Sequence, residues 1–509
     1  MTDDDALIIS GERSLSRKML MERARKAAHG FAGFGIGPGS SAALLLRNDI
    51  AFFEASFAAT MLGAYAVPIN WHWKASEVAY LLRDCDAGVV VAHEDLRPLL
   101  AEAPADLPIL WVRTPPEARK AYNLPLLERD TATGGEDWDT WLGRQPVWQG
   151  EPQPRRDSMI YTSGTTGRPK GVRREPPTPE QEASNVRARA RIFGLVPGIR
   201  ALVPGPLYHS APNGFGLRAA MIADLLVLMP RFDPEELLAL IERYRIDTTF
   251  IVPTMMVRLL RLPEAVKRRY DLSSLRHVTH AAAPCPPGVK QAMIDWWGPV
   301  LHEFYGATDL GAPTTCDSHD WLRKPGTVGQ LIEGAELKIL DENGKECPPG
   351  TPGEIFARID YLPDFTYHKR DTDRRAAERD GLISVGDVGY FDEDGYLFIC
   401  DRKRDMIISG GVNIYPAEIE AALLSLDAVM DCAVFGIPDP EFGESVCAAL
   451  LAAPGTTEEE IRAVLRENLA DYKIPRRIFF HDELPRDDSG KLLKRQLREP
   501  FWRDAGRSI

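Results

Sequence analysis

The chain has 509 residues, 44 % of them hydrophobic and 27 % charged, with a formal net charge of −13 and a pI near 5.4. That length calls for about two to four structural units, and the acidic balance argues against nucleic acid as a partner. The cysteines (85, 285, 316, 347, 400, 432 and 447) form no C-x-x-C pair. Reduced thiols and a cytoplasmic setting are therefore expected, not a disulfide framework or a zinc site. The acidic start Met1-Thr2-Asp3-Asp4-Asp5 lacks the apolar core of a signal peptide. The most apolar stretches are broken by Arg47, Asp49, Glu54 and Asp224, so no transmembrane segment of roughly 20 residues is expected.

In chain order, the spacing predicts a helix over 15–33, stopped by Gly33, Gly35, Gly37 and Gly39. These glycines follow a helix and not a strand, which argues against a dinucleotide fingerprint. Strands are expected at 42–46, 65–69 and 88–92, with helices near 49–62 and 75–84 between them. That alternation predicts a doubly wound α/β layer. Residues 102–155 are rich in Pro, Asp and Trp with little period, and read as connection and surface structure.

The most informative stretch runs from Tyr161 to Gly171. Gly164, Gly167 and Gly171 let backbone N–H groups line a concavity. Thr162, Ser163, Thr165 and Thr166 add hydroxyls, and Lys170 adds a point charge, which together suit a polyphosphate. Arg168 and Pro169 separate Gly167 from Lys170, so this is not the Walker A spacing of a P-loop nucleotidase. Further on, Thr178 with Gln181 reads as a helix N-terminus, and Pro179 suits its first position. A strand at 201–204 leads into Pro206-Leu207-Tyr208-His209-Ser210, and strands at 225–229 and 248–253 continue a second α/β layer. A strand at 276–283 runs into Ala282-Ala283-Pro284, and one at 300–304 into Tyr305-Gly306-Ala307-Thr308-Asp309. From 326 to 358 the pattern turns short and β-like, as in a small barrel, with a hairpin turn at 341–344. The highly charged segment 367–379 is assigned no chemistry. Asp387 lies between Gly386 and Gly389, and a single carboxylate can accept two hydroxyl hydrogen bonds. The run Asp401-Arg402-Lys403-Arg404-Asp405 precedes Gly410-Gly411. Beyond it come a helical pattern (Ile419, Ala422, Leu423, Leu426), strands at 432–437, 446–452 and 477–480, and a capping box of Thr457 with Glu460. Ser489-Gly490-Lys491 closes a compact α+β unit.

From Tyr161 to Lys491 these motifs, in this order, resemble the adenylate-forming superfamily of acyl-CoA synthetases, peptide-synthetase adenylation domains and luciferases. The resemblance implies an α/β fold. A large N-terminal domain over 1–401 would hold doubly wound layers and a small β-barrel, 402–405 would be a hinge, and 406–509 a small mobile C-terminal domain. Thr162, Ser163, Gly164, Thr165, Thr166, Gly167 and Lys170 would cradle the β- and γ-phosphates of ATP. Ala282, Ala283 and Pro284 would contact adenine, and Tyr305, beside Gly306, would stack on it. Thr308 would stand near the α-phosphate. Asp309 would anchor Mg²⁺ where the family carries Glu. Asp387 would take the ribose diol, Arg402 the nucleotide, and His209 would border the carboxylate and thiol pockets. Arg404 would be the hinge, Gly410 and Gly411 would line the pantetheine tunnel, and Lys491 would serve adenylation. Arg173-Arg174 departs from the family's Thr/Ser-His pair, a change expected to alter what surrounds the phosphate loop.

The implied activity is that of an AMP-forming carboxylate–CoA ligase, an acid–thiol ligase using ATP, Mg²⁺ and coenzyme A. The alternative is a stand-alone adenylation enzyme loading a carrier protein. No carrier domain follows the small domain, so CoA is the expected acceptor; a homo-oligomer is compatible with the sequence. Family members that use acetate carry Trp where this chain has Gly306. Gly306 and Ala281–Ala283 therefore imply a larger apolar acid, either a medium-to-long fatty acid or an aromatic or alicyclic one. Gly306→Trp is expected to shift the preference towards short acids.

Overall fold

The computed structural model describes residues 6–125, 135–162, 169–486 and 492–503. Two parallel-sheet layers form the body of the large domain. One sheet has five parallel strands in the order Tyr65–Pro68, Ser41–Leu45, Ala87–His93, Ile109–Val112, Glu136–Asp137. The other has nine strands. Its parallel centre comprises Leu7–Ser10, Leu225–Leu228, Arg200–Val203, Thr248–Ile251, His277–His280 and Leu301–Ala307. Antiparallel strands Arg13–Ser16 and Gly311–Asp317 flank it, and Gln330–Leu331 completes that edge. Strands such as Ser41–Leu45 and Leu225–Leu228 are buried along their whole length, which is why they read as unbroken apolar runs without alternation.

The helix Ile50–Met61 is buried on nearly every side, as expected of a helix enclosed between layers. Its one buried acid, Glu54, is paired with Arg23 at 2.5 Å and accepts the Trp138 indole N–H at 2.7 Å. That contact corrects the reading of 102–155 as surface. Ile109–Val112 is a strand of the parallel sheet, and Trp138 and Trp141, on the helix Trp138–Arg144, stack at 5.3 Å inside the core beside Phe31. A four-residue strand and a two-turn helix are too short to show a period, so composition alone marks the segment as a loop.

The expected β-rich subdomain is an antiparallel sheet of Ala335–Leu340, Gly353–Ile359, Leu382–Phe391, Leu397–Arg402 and the short Glu378–Arg379. The small C-terminal domain has its own sheet of Val412–Ile414, Ile407–Ser409, Gly443–Ala452, Val429–Asp439 and Arg477–Phe480. Helices Pro416–Leu424 and Glu458–Asn468 cover it around a core that includes Ile419, Leu423, Leu450 and Leu465. Both predicted capping boxes form: the Thr178 and Thr457 hydroxyls accept the N–H groups of Gln181 and Glu460. All seven cysteines are unpaired, and among the described residues no helix is long and apolar enough to cross a membrane.

Candidate active site

The carboxyl ends of the parallel strands of the nine-stranded sheet open on one side. This is where open α/β sheets bind ligands. A cavity of about 2740 Å³ lies there, walled by loops after Arg200–Val203, Thr248–Ile251 and His277–His280 and by the far end of Leu301–Ala307. The small domain closes its other side with residues of Lys494–Trp502.

At one end of the cavity, strand register does the positioning. Asp387 and Arg402 are cross-strand partners on neighbouring antiparallel strands. Arg402 Nε stands 3.3 Å from Asp387 Oδ1, and the Tyr305 hydroxyl donates to Asp387 Oδ2 at 2.8 Å. Burial and the Asp387 carboxylate hold the Tyr305 phenol well above its ordinary pKa, so it stays protonated and donating. Ala282, Ala283 and Pro284 line the same cavity as this trio. Ala282 has φ 77°, a left-handed conformation costly for a residue with a Cβ and one that clusters at functional turns.

At another, Thr162 and Lys170 bracket the glycine loop and are cross-strand partners. Ser163, Gly164, Thr165, Thr166 and Gly167 lie outside the described residues, as does Lys491. Lys170 Nζ is 2.8 Å from Asp373 Oδ2 and 4.8 Å from the Tyr367 ring centre. Thr308 and Asp309 face the same space. Arg174 donates to the carbonyls of both. The Arg173-Arg174 departure thus supplies the brace of this corner. The segment 367–379, assigned no chemistry, also reaches the site. Its strand Phe365–Tyr367 pairs with Lys170–Arg174 across almost two hundred residues of chain, a contact no local pattern announces.

Asp309 is the test of a magnesium site. Its Oδ1 is buried with no hydrogen-bond partner among the described residues. Burial pushes the carboxyl up to about 6, against Arg174, a Tyr367 hydrogen bond and Lys170. An unpartnered hard oxygen on a residue that lines the cavity fits Mg²⁺, which typically takes one or two carboxylates and fills the rest with phosphates and water. Among the described residues no cluster of three or more His, Cys, Asp or Glu offers a fuller cage.

His209 lines the cavity and immediately precedes the helix Ser210–Ile222; its ring lies 4.3 Å from that of Tyr208, which meets Trp71 edge-on at 4.5 Å. Gly306 sits where the register slips between Tyr305 and Ala307. A Cβ there would stand 2.0 Å from the Gly311 carbonyl oxygen. The Cβ direction at Gly306 therefore runs into backbone, although Gly306 itself lines the cavity. Gly306→Trp would therefore first have to displace the Gly311 strand.

Arg404 lies in the turn between the two domains, and its carbonyl accepts from Arg498 at 3.3 Å. Beside it Lys494, half-buried and unremarked in the sequence, pairs with Glu420 at 2.8 Å and feels Asp401. Asp401 in turn accepts the Ala417 N–H at 2.9 Å and the Arg402 N–H at 2.7 Å. Gly410 and Gly411 form the tip of the hairpin between Ile407–Ser409 and Val412–Ile414, and the structure does not bring them to the cavity.

The family model described as AMP-binding enzyme matches residues 1–362, and that of the AMP-binding enzyme C-terminal domain matches 418–491. The chain belongs to this family, and with it to the adenylate-forming superfamily. It is 33 % identical over 495 residues to a feruloyl-CoA synthase of an Amycolatopsis species, covering 96 % of this chain and 95 % of that one. A fatty acid–acyl-carrier-protein ligase of Streptomyces coeruleorubidus is 30 % identical, with 98 % and 93 % covered. Among solved structures, o-succinylbenzoate CoA synthetase of Bacillus subtilis, in complex with its acyl-adenylate intermediate, superposes with a TM-score of 0.79 at 27 % identity, covering 98 % of this chain and 96 % of that one.

Proposed function

We propose that the protein is an AMP-forming carboxylate–CoA ligase. The observation that carries this reading is the convergence in one cavity of the Tyr305–Asp387–Arg402 trio, the Thr308–Asp309 corner and Lys170. The trio suits a nucleoside: Asp387 accepts from the ribose hydroxyls and Tyr305 offers its ring to adenine. Thr162, Lys170 and the glycine loop suit the outer phosphates. Mg²⁺, when bound, neutralises phosphate charge, and Asp309 would hold it.

A carboxylate is a poor acyl donor because its leaving group would be oxide. In the first half-reaction a carboxylate oxygen bonds to the α-phosphorus and the bond to pyrophosphate breaks. Charge gathers on the α-phosphate oxygens, where the Thr308 hydroxyl and the Lys491 ammonium stabilise it. In the second, the CoA sulfur bonds to the acyl carbon, the thiol proton is released, and the acyl–oxygen bond to AMP breaks. His209 borders the space in which that attack occurs.

Residues 1–401 form the adenylating body in this reading, 402–405 the hinge, and 406–509 the mobile domain. The present arrangement suits the first half-reaction, because residues 492–503 turn to the cavity. The Gly410–Gly411 hairpin points away with Ile408 and Val412 48 % and 44 % exposed. Rotation about Arg404 exchanges the two faces. Arg404→Pro, which fixes φ and removes an N–H, is expected to keep adenylate formation and lose thioester formation. Unpaired cysteines support a cytoplasmic setting.

The substrate is larger than acetate: the cavity wall carries Phe250, Ala281, Phe304 and Ala312. The deciding experiment is pyrophosphate release from ATP across a panel of carboxylic acids, followed by thioester formation on adding CoA. Acid-independent or absent release would refute the reading. The carrier-protein ligase among the relatives keeps a second acceptor open, and a phosphopantetheinylated carrier outcompeting CoA would favour it.

A further inference from the structure

Two polar side chains on one helix line the cavity outside the residues given a role above. Asn185 and Arg189 are one turn apart on the helix Pro179–Phe193 and both line the cavity. Asn185 is only 4 % exposed, and what remains of its surface opens on the cavity.

Arg189 is underused. Its side chain is 17 % exposed. It makes one long hydrogen bond, to the Gly214 carbonyl at 3.4 Å, and its nearest carboxylate, Asp157, is 3.9 Å away. Asp157 is shared with Arg155 at 3.3 Å, and Arg155 also draws on Glu182 at 3.4 Å. Arg218 adds a third guanidinium to this neighbourhood, and Asp157 is further shared with Arg174. Burial and the Arg155 charge pull the Arg189 pKa down, as expected of a guanidinium held away from water and short of countercharge.

The placement suits a substrate contact. Ile192 and Phe193, one turn further along the same face, pack towards Phe304. Across the cavity Gly214 lies on the helix that starts after His209, on the order of 7 Å further in along its axis. A Cβ added at Gly214 would meet nothing within 4 Å. An acid reacting near His209 and Thr308 would thus carry its body past apolar walls towards this pair.

Resting on the carboxylate–CoA ligase reading, we infer that Asn185 and Arg189 form a polar recognition pair in the acyl pocket, and that the preferred acid bears a second carboxylate. A planar guanidinium matches a carboxylate fork, the local excess of positive charge selects an anion over a neutral oxygen, and the Asn185 amide donates the remaining hydrogen bond.

The test is kcat/KM for pyrophosphate release with matched acids: octanoate against suberate, benzoate against terephthalate, cinnamate against 4-carboxycinnamate, with 4-hydroxycinnamate as the neutral-oxygen control. In at least one pair the dicarboxylate should lead tenfold or more. Arg189→Met should lower that ratio at least tenfold. Asn185→Asp, which keeps the shape and adds a repelling charge, should lower it too and covers the case of a misfolded Arg189→Met. Monocarboxylates leading in every pair, or ratios unmoved by the substitutions, would overturn the inference while leaving the ligase reading intact. A lead for 4-hydroxycinnamate over 4-carboxycinnamate would overturn the assignment of an anion. No release with any acid would bring down the ligase reading and this inference together.

Discussion

The two ends of the cavity are built by different physics. The nucleotide end rests on backbone ladders: Asp387 and Arg402 face each other because their strands pair in one register, and Tyr305 is delivered by the adjacent end of a parallel strand. The acyl end is assembled from two helices and a sheet whose contacting residues share no local pattern, such as Arg189 against Gly214. Ladders tolerate little variation, because a slip of one residue turns every side chain over. Helix faces can exchange one side chain without disturbing their neighbours. Substitutions at the nucleotide end should therefore slow all acids alike, whereas those at the acyl end should re-rank them.

The largest expected effect comes from the small domain's contribution to the phosphate end. Lys491→Ala should cut pyrophosphate release about 10²-fold or more, roughly 3 kcal/mol of transition-state stabilisation, for every acid in the panel. Supplied acyl-adenylate should still pass to CoA at near wild-type rate. A loss that varied strongly with the acid would break the division between the two ends.

Asp387→Asn comes next. It removes a charged acceptor from Tyr305 and Arg402 together. Hydrogen bonds to charged groups contribute about 1.5–3 kcal/mol, so kcat/KM for ATP should fall about 10- to 100-fold, again with no change in acid ranking. Gly306→Ala should be milder and is read by stability. Its Cβ would press on the Gly311 backbone, an overpacking expected to cost about 1–3 kcal/mol. A lowered Tm with unchanged acid preference is the expected result. A preference for shorter acids without loss of Tm would place Gly306 at the acyl end after all.

What the sequence made legible follows the same division. Tyr305, Thr308, Asp309, Asp387 and Arg402 each sit at a strand end or turn inside a short motif, and the fold gathers all of them on one cavity. Backbone geometry is local, so local spacing reports it. The Arg174 brace, the Tyr367 and Asp373 contacts and the Trp138–Trp141 core were not legible. Each depends on segments far apart in the chain and carries no period of its own. Asn185 and Arg189 were hidden in another way. On a helix face of mixed polarity they look like solvated surface until the facing helix is known.

The smallest expected effect concerns Lys170, whose partner in this structure is Asp373 and not a phosphate. Lys170 is buried, while Asp373 comes from the rim of the cavity and is partly exposed. Its carboxyl is held below the ordinary range chiefly by the Lys170 hydrogen bond. When the outer phosphates of ATP enter, they must compete with this carboxylate for the same ammonium. Asp373→Asn keeps the shape and removes the competing charge, so Lys170 should meet the phosphates more readily. A partly exposed ion pair contributes little, and KM for ATP should accordingly fall only about twofold to fivefold, equally for every acid. Titration with ATP at fixed acid gives the number. A rise in KM would mean that Asp373 orients Lys170 for the phosphates instead of withholding it, and the nucleotide end would then extend to the charged segment as a working part of the site.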